Sequence, residues 1–279
     1  MNVFILSIFL FMSSSYAASD FLVDRLKAKG FGCSPAEGGD ICKVSSVSTP
    51  EFKYSQPIAI FVPKNVRRPT STVVHLHGHR CVCEPCDLSP EKMVSQFEFS
   101  KQMKEAGLAN SVLIAPVSIG HCVNFEKELA PQFDQFMKWV NSSVDPTQDR
   151  LFLSGHSGAG RALGTIVGDA AKKDPTLLKK IDGVVLLDAT YSTRPAYLEQ
   201  WSLAAKGNKN LKVYSVINTG GGTEVGSKML KSSMPQSEVE IEKSKTPHCK
   251  IPGEYFRKGL KTVQPGSGSS SASLSEGAR

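Results

Sequence analysis

The sequence predicts an α/β protein, with a mostly parallel central sheet and helices on both faces. Short, almost wholly apolar runs recur at 57–63 (PIAIFVP), 71–78 (STVVHLHG), 111–117 (SVLIAPV), 150–155 (RLFLSG), 183–189 (GVVLLDA) and 211–220 (LKVYSVINTG). Segments of helical spacing separate most of them. A strand apolar on both of its sides needs cover on both faces, which is the setting of a parallel sheet. The length, 279 residues, allows such a domain a sizeable core.

The elements follow in order. Asn2 precedes VFILSIFLFM and SSSYA, an apolar run ending in small residues at Ser15 and Ala17. This reads as a signal peptide over 1–17, cut before Ala18, and too short to span a bilayer comfortably. Residues 18–262 then form the domain. A short helix is expected around DFLVDRLKAKG, and one continuous helix over EKMVSQFEFSKQMKEAG, ending at Gly107. APQFDQFMKWVNSS places Phe133, Phe136, Met137 and Val140 on one helical face. GAGRALGTIVGDAAKK is a helix stopped by Pro175, and VEIEKS is the last short strand. The tail, 263–279, is rich in Gly and Ser, cannot bury apolar surface and is expected to be disordered.

Composition narrows the function. The net charge of +7 comes without a Lys/Arg cluster interleaved with aromatics, so no nucleic-acid partner is expected. Export permits disulfides, and the seven cysteines are Cys33, Cys42, Cys81, Cys83, Cys86, Cys122 and Cys249. Cys33 is expected to pair with Cys42, because the segment between them holds Pro35 and Gly38-Gly39 and can close a small loop outside the sheet. The other five crowd toward the carboxyl end of the sheet, with no partners assigned.

The chemistry concentrates in RLFLSGHSGAG. Ser157 follows a buried strand and opens a helix among Gly155, Gly158, Ala159 and Gly160, the setting of a nucleophile elbow. Free N–H groups at the helix start suit a developing negative charge. The turn lacks the Lys of a phosphate-binding loop and the spacing of a dinucleotide fingerprint. Upstream, His77-Gly78 ends a strand expected beside the elbow. The backbone N–H groups of His79 and Gly158 are the candidate oxyanion donors. His75 is expected to be a satisfied core histidine, and His121 to line the substrate pocket. A base for the serine belongs on a late loop, where only His248 lies, in TPHCKIP.

The run VDPTQDRLFLSGHSGAG, the upstream HLHGH and the late His248 together resemble the α/β-hydrolase superfamily, most of all secreted esterases related to polyester depolymerases and feruloyl esterases. The expected G-x-S-x-G has Ala159 in place of its last glycine. The resemblance implies a serine hydrolase with Ser157 as nucleophile and His248 as base, acting on a small or polymeric ester or amide without cofactor or metal. Two carboxylates compete for the acid. Asp188 ends GVVLLD beside the elbow strand, and Glu224 follows NTGGGT. A strand end holds a carboxylate more rigidly than a glycine run, which favours Asp188. The alternative function is a secreted binding protein on the same fold, non-catalytic or zinc-dependent, drawing on the His and Cys residues of HLHGHRCVCEPC.

Overall fold

The computed structural model describes residues 18–78, 89–118 and 125–266. The expected signal peptide, the tail beyond 266, and His79, Cys81, Cys83, Cys86, His121 and Cys122 lie outside the described residues.

The chain opens with α1 (Ala18–Ala28) and a hairpin of β1 (Gly32–Ala36) and β2 (Gly39–Val44). A small ribbon of β3 (Val47–Ser48) and β4 (Lys53–Tyr54) leads to β5 (Ile58–Pro63) and β6 (Ser71–Leu76). Next come α2 (Pro90–Gln96), α3 (Phe99–Glu105), β7 (Ser111–Pro116), α4 (Phe133–Val144), β8 (Arg150–His156), α5 (Ala159–Lys173) and α6 (Pro175–Lys180). The domain closes with β9 (Ile181–Leu187), α7 (Pro195–Gly207), β10 (Lys212–Asn218), α8 (Thr223–Ser233), β11 (Glu238–Ser244) and α9 (Ile251–Val263).

Among the described residues nine strands form one sheet, ordered β1-β2-β5-β7-β6-β8-β9-β10-β11. From β7 to β11 every neighbouring pair is parallel, and β5, β2 and β1 extend the sheet antiparallel. Successive residues on the central strands face opposite ways. Val74, Leu153 and Val184 join Leu26, Phe136, Leu163 and Trp201 in the core under α1, α4, α5 and α7. Val73, Phe152 and Val185 join Met93, Phe99, Phe256 and Leu260 in the core under α2, α3 and α9. With both faces covered, each large apolar side chain on these strands contributes about 1.5–3 kcal/mol of burial, which is why these runs are apolar without alternation.

Two expectations need correction. Cys33 and Cys42 are disulfide-bonded, but not in a loop outside the sheet. They sit opposite one another on β1 and β2, and that hairpin is the sheet's edge. The expected helix over 91–107 is two helices, broken at Phe97 and Glu98, where Glu98 takes φ 50°. Two positions apart on one helix, Phe97 and Phe99 would point away from each other. The break turns both into the same core, with ring centroids 5.5 Å apart. Buried Gln102 secures the joint by donating to the carbonyls of Phe97 (2.7 Å) and Pro252 (3.1 Å) and accepting from the Arg257 N–H (2.8 Å).

At the C-terminus, α9 buries Val263, and Gln264 donates to the Ala106 carbonyl at 2.7 Å. No described helix is long and apolar enough to cross a membrane.

Candidate active site

Strand β8 is buried from Leu151 to His156 and delivers Ser157 at the carboxyl edge of the sheet. Ser157 sits in the left-handed region at φ 52°, a conformation non-glycine residues rarely adopt and one kept where surrounding structure enforces it. The enforcement is visible. The Ser157 N–H donates to the Leu187 carbonyl of β9 at 3.1 Å, and α5 starts two residues later with Gly158 as its N-cap. At Gly160 an added Cβ would lie 1.9 Å from the Ala189 carbonyl oxygen, so this turn of α5 runs against the backbone leaving β9. The departure at Ala159 fits for a local reason. Its methyl group faces Gly155, where an added Cβ would approach it to 3.3 Å.

Asp188 occupies the matching place after β9, also left-handed at φ 48°, with its N–H donating to the Val216 carbonyl at 2.8 Å. Its carboxylate is 1% exposed and accepts three hydrogen bonds. Oδ2 receives His248 Nδ1 at 2.6 Å, and Oδ1 receives the Asn218 N–H at 3.1 Å and the Thr223 hydroxyl. Burial opposes the charge on Asp188, but the bonds from His248, Thr223 and Asn218 outweigh it and hold the carboxyl below its usual range. Glu224, the competing carboxylate, points elsewhere, to Lys228 at 2.9 Å and Lys243 at 2.7 Å. These two lysines hold it down at about 2. The loop after β10 thus brings Thr223 to the Asp188–His248 pair, and not the acid beside it.

His248 stands on the one-turn 3-10 helix His248–Lys250 that follows β11. Asn218 Nδ2 donates to the Thr246 carbonyl at 2.7 Å and ties this turn to the end of β10, whose Asn218 N–H also holds Asp188. Cys249, the next residue, is disulfide-bonded. Tyr191 joins the parts, meeting the His248 ring edge-on at 6.2 Å between centroids. Burial and the Asp188 charge push its hydroxyl up to about 12, against a hydrogen bond with the Ser157 side chain.

Behind the elbow lie three buried histidines. His156 Nε2 is 3.1 Å from the His248 carbonyl oxygen, which can only accept, so Nε2 carries the proton. The two rings are 4.6 Å apart, and burial, with His248 nearby, pushes His156 down to about 3. Its Nδ1 has no hydrogen-bond partner among the described residues and abuts Gly78, where a Cβ would come within 2.5 Å. His77 donates from Nδ1 to the Gly78 carbonyl at 2.6 Å while its Nε2 accepts the Ser118 N–H at 2.9 Å. His75 corrects the expectation of full satisfaction. It lies 3.1 Å from Ser154 Oγ through Nδ1, but Nε2 has no partner among the described residues. Burial, then His156 and His77, push it well down.

A cavity of about 440 Å³ opens beside the serine, walled by Ser157, Gly158, Arg161, Tyr191 and residues 192–194. Sequence reasoning passed over Tyr191, Thr223, Arg161 and Arg194. Only His156, the residue before the serine in the elbow motif, carried any local signal.

A sheet that is parallel through its centre, with a strained serine at the end of β8 and an Asp–His pair from later crossovers, defines the α/β-hydrolase class of fold. No family model and no curated protein matches the chain. Solved structures match its fold. A ferulic acid esterase superposes with a TM-score of 0.58 at 11% identity, over 84% of this chain and 98% of that one. The feruloyl esterase module from Clostridium thermocellum, as a mutant complexed with sinapinate, gives 0.56 at 11% identity, over 83% and 92%. A thermostable carboxylesterase cloned from a metagenomic library gives 0.51 at 11% identity, over 86% and 95%.

Proposed function

We propose that this chain is an exported serine hydrolase that cleaves a carboxylic ester through an acyl-enzyme intermediate. The observation that carries the reading is the 2.6 Å bond from His248 Nδ1 to buried Asp188, beside a serine held left-handed at the end of β8. Ester-cleaving neighbours of the same fold support the bond type. An amide is the less supported substrate.

In this reading Ser157 Oγ attacks the ester carbonyl carbon while His248 Nε2 accepts its proton. Asp188 stays ionised, fixes the ring through Nδ1–H and stabilises the imidazolium. The backbone N–H groups of Gly158 and His79 receive the oxyanion. His248 then protonates the leaving alkoxide as the carbon–oxygen bond breaks, leaving the acyl group on Ser157. Water, deprotonated by His248, attacks the acyl carbonyl and releases the acid. Tyr191 stays protonated at neutral pH, so it can donate to substrate but does not compete as a base. His156 stays neutral, so no second positive charge opposes the imidazolium. His121 belongs to the proposed pocket.

The apolar 1–17 segment and the Cys33–Cys42 disulfide fit an oxidising compartment outside the cytoplasm. Ser157→Ala is expected to cut turnover of a 4-nitrophenyl ester on the order of a million-fold, to abolish fluorophosphonate labelling and to leave the melting temperature nearly unchanged. Near-wild-type turnover in this variant removes Ser157 as nucleophile.

A further inference from the structure

The cavity beside Ser157 is unusual in its wall. Among the described residues that line it, two are arginines, Arg161 and Arg194, and none is a carboxylate or carries an aliphatic side chain. Several cations elsewhere in the chain have acidic partners, as in Lys43–Glu91, Arg150–Asp182 and Arg257–Glu105. Arg161 is held toward Glu126 at 2.9 Å, which orients the guanidinium and offsets part of its charge. Arg194 is exposed and has no ion-pair partner among the described residues. Two helices of full length also begin here, α5 at Ala159 and α7 at Pro195, and neither has an acidic residue in its first turn. Their positive ends add to the arginines at the same place. The Asp188 charge reaches this wall at Tyr191, but its carboxylate is turned to His248, Thr223 and Asn218 and does not line the cavity.

A neutral ester makes no use of such a wall. A carboxylate does, since a guanidinium presents paired N–H donors that match its two oxygens. We propose that this cavity is an anion subsite, and that the substrate is an ester carrying a free carboxylate bound by Arg194 and Arg161. The proposal rests on Ser157 marking the reacting centre, and it assigns the substrate class that the fold leaves open. The carboxylate can belong to the acyl or the alcohol half, and the test separates the two.

Two matched pairs of esters serve as probes. On the acyl side, 4-nitrophenyl hydrogen adipate is compared with 4-nitrophenyl hexanoate. On the alcohol side, 4-carboxyphenyl acetate is compared with 4-carbamoylphenyl acetate. The readout is the ratio of kcat/KM, anionic over neutral, within each protein, so a general loss of activity cancels. The wild-type ratio is expected to exceed one in one arm by roughly ten- to a hundred-fold, as for a charge-assisted hydrogen bond. It should shrink with added salt, and fall toward one in Arg194→Gln and further in Arg161→Gln/Arg194→Gln. Ratios near one in both arms, or a ratio insensitive to both substitutions, overturn the subsite. Calorimetric titration of Ser157→Ala with both pairs of esters reads the subsite without turnover. Preference for an anionic ester over its neutral partner, lost with Arg194→Gln, alongside a wild-type chain that hydrolyses neither pair, keeps the subsite and sinks the hydrolase. Turnover without that preference, in both measurements, does the reverse.

Discussion

Asp188 meets three donors from three different segments, and they divide two tasks. His248 Nδ1–H is the proton held in place, while the Thr223 hydroxyl and the Asn218 N–H lock the carboxylate's rotation. An asparagine at 188 presents either an amide NH₂ or a carbonyl to His248, removes the negative charge and favours the wrong imidazole tautomer. Asp188→Asn is expected to lower kcat/KM roughly ten-thousand-fold. Glu224→Gln breaks only ion pairs to Lys228 and Lys243 and should change it little. Steady-state kinetics on one ester decides the ranking, and the reverse order would assign the acid to Glu224.

At the scale of elements, the edge hairpin shows how a crosslink and a strand pair share one position. β1 is exposed or half-buried throughout, so little apolar burial holds it to β2, and its ladder and the Cys33–Cys42 bond do most of the work. The bond spans a sequence separation of 9 residues, and closing so short a loop restricts the unfolded chain by about 2–3 kcal/mol on the chain-entropy account. Cys33→Ala/Cys42→Ala should therefore lower the unfolding free energy by about that amount. A denaturant titration reads it as a shift of midpoint. Activity at low denaturant should persist, because β1 and β2 lie at the far edge of the sheet from β8 and β9.

For the whole molecule, the buried histidines set the response to acid. His156 is held neutral down to about 3 and His75 well below its usual value, whereas in the unfolded chain both take up protons near pH 6.5. Between those limits the unfolded state binds more protons, so stability rises with pH and falls as pH drops from about 6.5 toward 3. Asp188 adds the same sign at lower pH, since its depressed carboxyl stabilises the fold above the unfolded value and loses this as pH falls through the folded one. The melting temperature should decline steadily from pH 7 to pH 5, as the unfolding free energy falls by up to about 1.4 kcal/mol per pH unit for each buried histidine. His156→Phe should flatten that slope. A melting temperature independent of pH over this range would contradict the assignment of neutral, buried histidines.

The sheet was legible in the sequence because burial on two faces demands apolar residues at every position, a local signal that survives without knowing what covers them. The strand-to-helix turn at Ser157 was legible for a similar reason, since close approach of α5 requires small residues on the spot, as at Gly155 and Gly160. The segmental break at Glu98 was not, because it answers to where Phe97 and Phe99 must both be buried. Nor were Thr223, Tyr191 and the two arginines of the cavity. Their polar side chains read locally as loop and surface residues, and only the connections after β8, β9 and β10 bring them to one edge of the sheet. The sequence by itself determined which residues can do chemistry and which strands must be buried. The tertiary structure decided which of them meet, because hydrogen bonds and charges act over a few ångströms of space between residues far apart along the chain.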